Sequence, residues 1–340
     1  MDTYVIAISN KTRYSFFNNL PPFIEIENPK TSFLIHSDPV FGLNKSKLIT
    51  NFDFLIDTGF ENYSEDEISI RNILGNRYIN LNIKSKYVQT PNLKQLITEL
   101  NLDIIIPNTF TIDCKNKTTK TCNYDFTSLD SERLVIKRYN GARGTDQILV
   151  DVDHVNNLLS ELYLYPLVEL KTRFPEAIFT KLQSEEIDQQ PRLEVEDSES
   201  YKKNKKIFFP GEDHLLIQEY IDNVVKEFRI IISGKELFII ERSINDNEYK
   251  QANLDFDSKV YIKPKQLLDK NILPTDVITL IEKLDLKLAS IDLFVTRNQK
   301  WGVFEYSHEF GMTSFSEKTR TDILNSFLSY IVENYKSTAL

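Results

Sequence analysis

The apolar positions of this chain fall into blocks of different period. Up to about residue 85, short apolar runs alternate with turn-rich stretches: Tyr4 to Ile8, Phe33 to Ile35, and Phe52 to Ile56, the last followed by Asp57-Thr58-Gly59. Runs of this length bounded by turn residues predict buried strands of a small α/β unit. In PNLKQLITELNLDIIIPNTF, Leu93, Leu96, Ile97 and Leu100 recur at helical spacing, and Ile104-Ile105-Ile106 is stopped by Pro107. That pattern predicts a helix followed by a strand.

From Leu134 the pattern predicts a hairpin: Leu134 to Lys137, the turn Asn140-Gly141-Ala142-Arg143-Gly144, and Ile148 to Val150. A helix from Val155 to Tyr165 follows, with Val155, Leu158, Leu159 and Leu162 on one face. Residues 184–206 run from an acidic block into a basic one with little to bury, and predict an insertion outside the core. Three strands come next, Leu215 to Ile221, Phe228 to Ser233 and Glu236 to Glu241, with Gly234-Lys235 as a turn; their closeness predicts an antiparallel meander. The last part predicts a helix over Val277 to Ala289, strands Ile291 to Val295 and Gly302 to Tyr306, and a closing helix over Ile323 to Val332. No internal repeat of 20 to 50 residues is visible.

Length and composition narrow the classes. A chain of 340 residues suits two or three packed subdomains, and 41% hydrophobic content is far from that of a disordered chain. A net charge of −9 argues against a protein devoted to the nucleic-acid backbone. No apolar run approaches the roughly 18 residues that span a bilayer, and the first residues lack a secretory core, so a cytoplasmic protein without membrane contact is expected. Cys114 and Cys122 lie in a polar segment whose spacing fits none of the usual zinc patterns.

Several residues carry candidate chemistry, each weak alone. Lys137 precedes Gly141 to Gly144, a loop whose N–H groups could close over phosphates, though a plain hairpin turn reads the same residues. It is not a Walker loop, since no Gly-Lys-Ser/Thr ends it. Arg229 and Arg242 lie on neighbouring strands, where guanidinium forks suit a phosphoryl group or a carboxylate; surface ion pairs are the ordinary alternative. Asp292 and Glu305, thirteen residues apart on two strands with apolar flanks, could face one side of an antiparallel pair and hold magnesium. His308 follows Glu305-Tyr306-Ser307 and reads either as a base or as a hydrogen-bonded histidine.

Taken in order, the strand with Lys137, the glycine loop, Gln218-Glu219-Tyr220-Ile221, Glu227-Phe228-Arg229, Arg242, Ile291-Asp292-Leu293 and Phe304-Glu305 resemble the ATP-grasp superfamily. The resemblance is to its ribosomal-protein glutamate ligases, glutathione synthetases and microviridin-type peptide macrocyclases, and covers Leu134 to the C-terminus. It implies an α+β / α/β ATP-grasp fold with an N-terminal pre-grasp α/β domain: residues 1–110 pre-grasp, 111–215 lid including the insertion at 184–206, and 216–340 the C-terminal subdomain with adenine hinge and metal site.

The function implied is an ATP-dependent carboxylate–amine ligase working through an acyl phosphate. Its partners would be a carboxylate substrate and an amine acceptor, with a peptide or protein among the acceptors considered and a homodimer among the assemblies. An ATP-grasp kinase and a non-catalytic ATP-binding module are the alternatives. By resemblance, Lys137 and the loop Gly141, Ala142, Arg143 and Gly144 bind ATP phosphates. Gln218, Glu219, Tyr220 and Ile221 frame adenine, and Glu227 holds the ribose. Arg229 and Arg242 face the transferring phosphoryl group. Asp292, Glu305 and Ser307 take Mg2+. The family pattern Glu-x-Asn is here Glu305-Tyr306-Ser307, and a hydroxyl is a poorer ligand than an amide carbonyl, so Glu309 is a further candidate. Lys86 and Lys94 are candidates for the upstream ATP-binding lysine.

Overall fold

The computed structural model describes residues 2–8, 23–27, 30–36, 53–57, 75, 78–80, 86–113, 126, 129, 131–138, 147–162, 165, 167–179, 214–243, 272–307 and 317–338. They form three five-stranded sheets and their helices, the mixed α/β class expected. The glycine loop 141–144, the insertion 184–206, both cysteines, His308 and Glu309 lie outside the described residues.

The first sheet holds β1 (Asp2–Ile8), β2 (Phe23–Glu27), β3 (Lys30–His36), β4 (Phe54–Asp57) and β5 (Tyr78–Asn80) in the order β2-β3-β1-β4-β5. Its pairings are parallel except β2 with β3. Helix α1 (Lys86–Glu99) and β6 (Ile104–Ile105) follow, then β7 (Thr109–Asp113). The helix begins before Pro91, which it contains.

The second sheet comprises β7, β8 (Arg133–Arg138), β9 (Gln147–Asp151), β10 (Ile178–Phe179) and β11 (His214–Glu219), all antiparallel, in the order β10-β9-β8-β11-β7. One face is apolar and packs with α2 (Val152–Glu161) and α3 (Leu167–Arg173), uniting Leu134, Ile136, Ile148, Leu215 and Ile217 with Val155, Leu158 and Leu170. The strand period of two therefore sends Val135, Lys137, Leu216, Gln218 and Thr109 to the other face. Helix α2 starts three residues before Val155, directly at the end of β9.

The third sheet contains β12 (Val224–Ser233), β13 (Glu236–Ser243), β14 (Leu288–Thr296), β15 (Trp301–Ser307) and β6, in the order β13-β12-β14-β15-β6. The expected three-strand meander is thereby corrected: β11 pairs with β7 and β8, and only β12 and β13 form a hairpin. Sequence closeness was misleading because Asp222 and Asn223 turn the chain from one sheet into another. Within the β12–β13 turn, Gly234 has φ +61°, the left-handed conformation that a two-residue hairpin asks of its first position.

One face of this sheet packs Phe228, Ile230, Ile232, Ile291, Leu293 and Val295 against α4 (Thr275–Leu284) and Leu93 of α1. The helix expected to reach Ala289 stops at Leu284, because Asp285 enters the left-handed region at φ 49° and the chain becomes strand from Leu288. The opposite face is divided. At one end Ile231, Phe238, Ile240 and Leu288 pack on α5 (Glu317–Thr338), whose other neighbours are Tyr4, Ile6, Phe54 and Ile56 of the first sheet. At the other end that face turns polar.

The change is assisted by a bulge. Asp292 stands opposite Glu305 and Leu293 opposite Val303, so Phe304 is the extra residue in β15. The shift places Gly302 under Phe294, whose ring also lies 4.4 Å from that of Phe304. A Cβ on Gly302 would come within 2.0 Å of the Phe294 ring. Gly302→Ala is therefore expected to destabilise the fold by about 1–3 kcal/mol, read as a lower urea midpoint at unchanged slope. An unchanged midpoint would show that the ring has room to move. Among the described residues, no helix is long and apolar enough to cross a membrane.

Candidate active site

The polar end of the third sheet is a row across three strands. Arg229 on β12 stands opposite Asp292 on β14, and Asp292 opposite Glu305 on β15, so all three side chains leave the same face. The Arg229 Nε donates to Asp292 Oδ1 at 2.7 Å and its Nη2 to Oδ2 at 2.8 Å. The two side chains retain 21% and 19% of their surface, so the fork is a largely desolvated contact rather than a surface ion pair. The Asp292 carboxylate raises the Arg229 pKa above its ordinary value against the opposing effect of burial, and Glu305 and Glu227 add to it. Among the described side chains, three carboxylates thus act on one guanidinium, a cluster with negative charge in excess.

This donor set fits a hard divalent cation. Magnesium is commonly held by one or two carboxylates together with water and phosphate oxygens, and Asp292 and Glu305 supply two carboxylates on one face. Both Asp292 oxygens already accept from Arg229, yet each carboxylate oxygen has a second lone pair to offer. Among the described residues no group of three or more His, Cys, Asp and Glu forms a closed metal cage. Such a cation would therefore depend on oxygens from elsewhere.

On the second sheet, the face opposite the α2 core carries Lys137. Its Nζ donates to Gln218 Oε1 at 2.6 Å, and Gln218 Nε2 donates to Thr109 Oγ1 at 3.2 Å. Glu219 points elsewhere: its Oε2 accepts from the Asn108 N–H at 2.8 Å, while its own N–H donates to the Asn108 carbonyl at 2.9 Å. Lys94 of α1 donates to Asn108 Oδ1 at 2.5 Å, tying helix and strand end together.

Tyr220 is fastened just beyond. Its N–H donates to the Arg133 carbonyl at 3.0 Å, and its carbonyl accepts from Ser131 Oγ at 2.8 Å. The Arg133 guanidinium lies 4.5 Å from the Tyr220 ring centre and also pairs with Asp222. Burial raises the Tyr220 phenol pKa, and the Arg133 charge opposes it.

The two polar faces meet at a cavity of about 20 Å³, lined by Lys137, Gln218 and Thr109 from the second sheet, Phe304 and Glu305 from the third, and Gln89 of α1. That volume accepts about one water molecule. Lys137, Gln218 and Glu305, far apart in sequence, are thus brought together, and Arg229 and Asp292 join Glu305 through the strand register.

Other expected residues stand at different distances from this cleft. Glu227 lies two positions from Arg229 on the same strand face and opposite Arg242, whose side chain is outside the described residues. Ile221 follows the fastened Tyr220, partly buried. Ser307 lies opposite Ser290 at the end of β15, two residues beyond Glu305, and its carbonyl accepts from Ser290 Oγ at 3.4 Å. Lys94 is engaged by Asn108. Sequence reasoning missed Thr109, Gln89 and the part played by Phe304. The alternation Thr109-Phe110-Thr111-Ile112 after Pro107 is a strand signal that could have found the first.

No protein-family model matches the sequence, and no curated protein sequence matches it. Solved structures do resemble it over nearly its whole length. The macrocyclase MdnC bound with precursor peptide MdnA, from Microcystis aeruginosa MRC, is 12% identical with a TM-score of 0.47, covering 98% of this chain and 100% of that one. D-alanine–D-alanine ligase from Bacillus anthracis is 16% identical with a TM-score of 0.46, covering 99% of each chain. The RimK domain protein ATP-grasp from Sphaerobacter thermophilus DSM 20745 is 14% identical with a TM-score of 0.42, covering 96% of this chain and 99% of that one.

Proposed function

We propose that this chain is an ATP-grasp carboxylate–amine ligase that activates a carboxylate as an acyl phosphate and passes the acyl group to an amine. The observation that carries the reading is the cavity that Lys137 and Glu305 line from two different sheets. A cation for phosphates on one wall and a carboxylate row on the other is the charge arrangement that a metal–triphosphate requires. The chain order of these pieces supports the same reading.

In this reading residues 1–110 are the pre-grasp domain, 111–215 the lid and 216–340 the C-terminal subdomain. The backbone of Gln218 to Ile221 is the adenine hinge, held in place by Ser131 and Arg133 at Tyr220, and the Gln218 side chain turns instead to Lys137 and Thr109. Lys137 and the loop 141–144 bind the phosphates, and Glu227 holds the ribose. Asp292 and Glu305 would hold Mg2+, with Ser307 as a further oxygen; the ion supplies charge neutralisation on the phosphates.

A carboxylate oxygen of the substrate attacks the γ-phosphorus, the bond to ADP breaks, and an acyl phosphate forms. An amine nitrogen then attacks the acyl carbon, inorganic phosphate leaves, and the amine loses a proton. Arg229 and Arg242 stabilise charge that grows on the phosphoryl oxygens, and no side chain becomes a covalent nucleophile. A peptide or protein is a candidate amine or carboxylate partner.

The test is mass spectrometry of carboxylate and amine mixtures incubated with protein, ATP and magnesium. An amide together with ADP and phosphate is the expected outcome; a stable phosphoester would favour a kinase instead. Lys137 meets phosphates already present in bound ATP, so Lys137→Ala is expected to weaken ATP affinity about tenfold as well as slow turnover. Calorimetry showing undiminished ATP affinity would remove Lys137 from the site.

A further inference from the structure

We propose that Thr109 and Gln218 form a positioning relay that holds the Lys137 ammonium at the height of the nucleotide phosphates, a role for Gln218 distinct from framing the base. The inference rests on the ATP-binding reading above. Its basis is a chain of two hydrogen bonds across three neighbouring strands: Lys137 Nζ to Gln218 Oε1 at 2.6 Å, and Gln218 Nε2 to Thr109 Oγ1 at 3.2 Å. All three residues line the cleft that Glu305 closes from the other sheet.

The strand register explains why each member is needed. Thr109 stands directly opposite Gln218, whereas Lys137 stands opposite Leu216, two residues along the same face of β11. A lysine stem is flexible, with four carbons and a mobile head, and Gln218 gives that head a fixed acceptor. An amide presents both an acceptor and a donor; the Thr109 hydroxyl donates to the Pro107 carbonyl at 3.2 Å and so meets Gln218 as an acceptor, which turns the NH2 toward it and the oxygen toward the donor-only ammonium. Thr109 therefore fixes the Gln218 amide, and the amide fixes Lys137. Gln218 is 7% exposed, so an amide turned the wrong way could not recover its hydrogen bonds from water. A neutral amide also leaves the ammonium charge available to phosphates, which a carboxylate in the same place would neutralise.

The test compares binding of adenosine and of ATP with magnesium by calorimetry. The proteins are wild type, Gln218→Leu, Gln218→Glu, Thr109→Val and Thr109→Ser. The relay acts on phosphates alone, so adenosine affinity is expected to stay unchanged throughout. ATP affinity is expected to fall about tenfold in Gln218→Leu and Gln218→Glu and about threefold in Thr109→Val, with Thr109→Ser keeping the wild-type value. Unchanged adenosine binding also shows that each variant is folded. Equal losses for adenosine and ATP would make Gln218 part of the base frame and overturn the relay. So would variants that bind ATP as the wild type does. Absence of ATP binding in the wild type would overturn the ATP-grasp reading itself, and the relay with it.

Discussion

Asp292→Asn is expected to lower ATP consumption with the true substrates by about 100-fold to 1000-fold, the range seen when one group stabilising a developing anion is lost, because it weakens the hold on the magnesium that would neutralise the phosphoryl oxygens. The same change strips Arg229 of its anionic partner in a contact where both residues keep only about a fifth of their surface. Removing one member of such a pair costs on the order of 3 kcal/mol, because the other charge stays desolvated. Arg229→Met should cost about as much for the mirror reason. Joining the two changes removes both charges at once, so the double variant should recover a large part of the lost stability and none of the activity. Urea midpoints and ADP release on the four proteins separate the outcomes. Stability losses that simply add would mean the fork contributes nothing to folding. Activity restored in the double variant would place the chemistry elsewhere.

The second large effect concerns the helix that joins the sheets. Phe327 is fully buried on α5, in one apolar cluster with Ile231, Phe238 and Ile240 of the third sheet and Tyr4, Ile6 and Phe54 of the first. Phe327→Ala empties volume inside this cluster, and about 3–5 kcal/mol of stability should go with it, at the upper end if the cavity stays open. Phe327→Leu keeps most of the volume and should cost less than about 1.5 kcal/mol. Denaturant titration gives both numbers. A Phe327→Ala loss below about 1 kcal/mol, the scale of a surface change, would mean that α5 is not the element cementing the two sheets.

Much of this architecture was legible in the residues. The strands Leu134 to Lys137 and Ile148 to Val150 pair as an antiparallel hairpin, and Asp292 faces Glu305 across β14 and β15. These features follow from a period of two and from short connections, which a single sequence carries plainly. The strand β11 was legible as a strand but not as a member of its sheet. Partner choice depends on residues more than seventy positions away, such as Val135 opposite Gln218, and no local pattern encodes that.

The same reason hid Thr109, whose value comes from standing beside Gln218. The bulge at Phe304 was hidden because nothing in Trp301-Gly302-Val303-Phe304-Glu305 announces an extra residue until Gly302 is seen under Phe294. The end of α4 turned on one left-handed residue, Asp285, a conformation that aspartate adopts often enough to stop a helix but too rarely to predict one.

The central claim, a nucleotide site completed by metal at Asp292 and Glu305, meets its most direct test in thermal melting with ATP in the presence of magnesium or of a chelator. Ligand binding to the folded state stabilises it by RT ln(1 + [L]/Kd), about 2.7 kcal/mol at a hundredfold excess over Kd. The wild type is expected to melt higher with ATP and magnesium than with ATP and chelator. In the double variant Asp292→Asn/Glu305→Gln that difference is expected to vanish. Equal magnesium-dependent shifts in the two proteins would contradict the account.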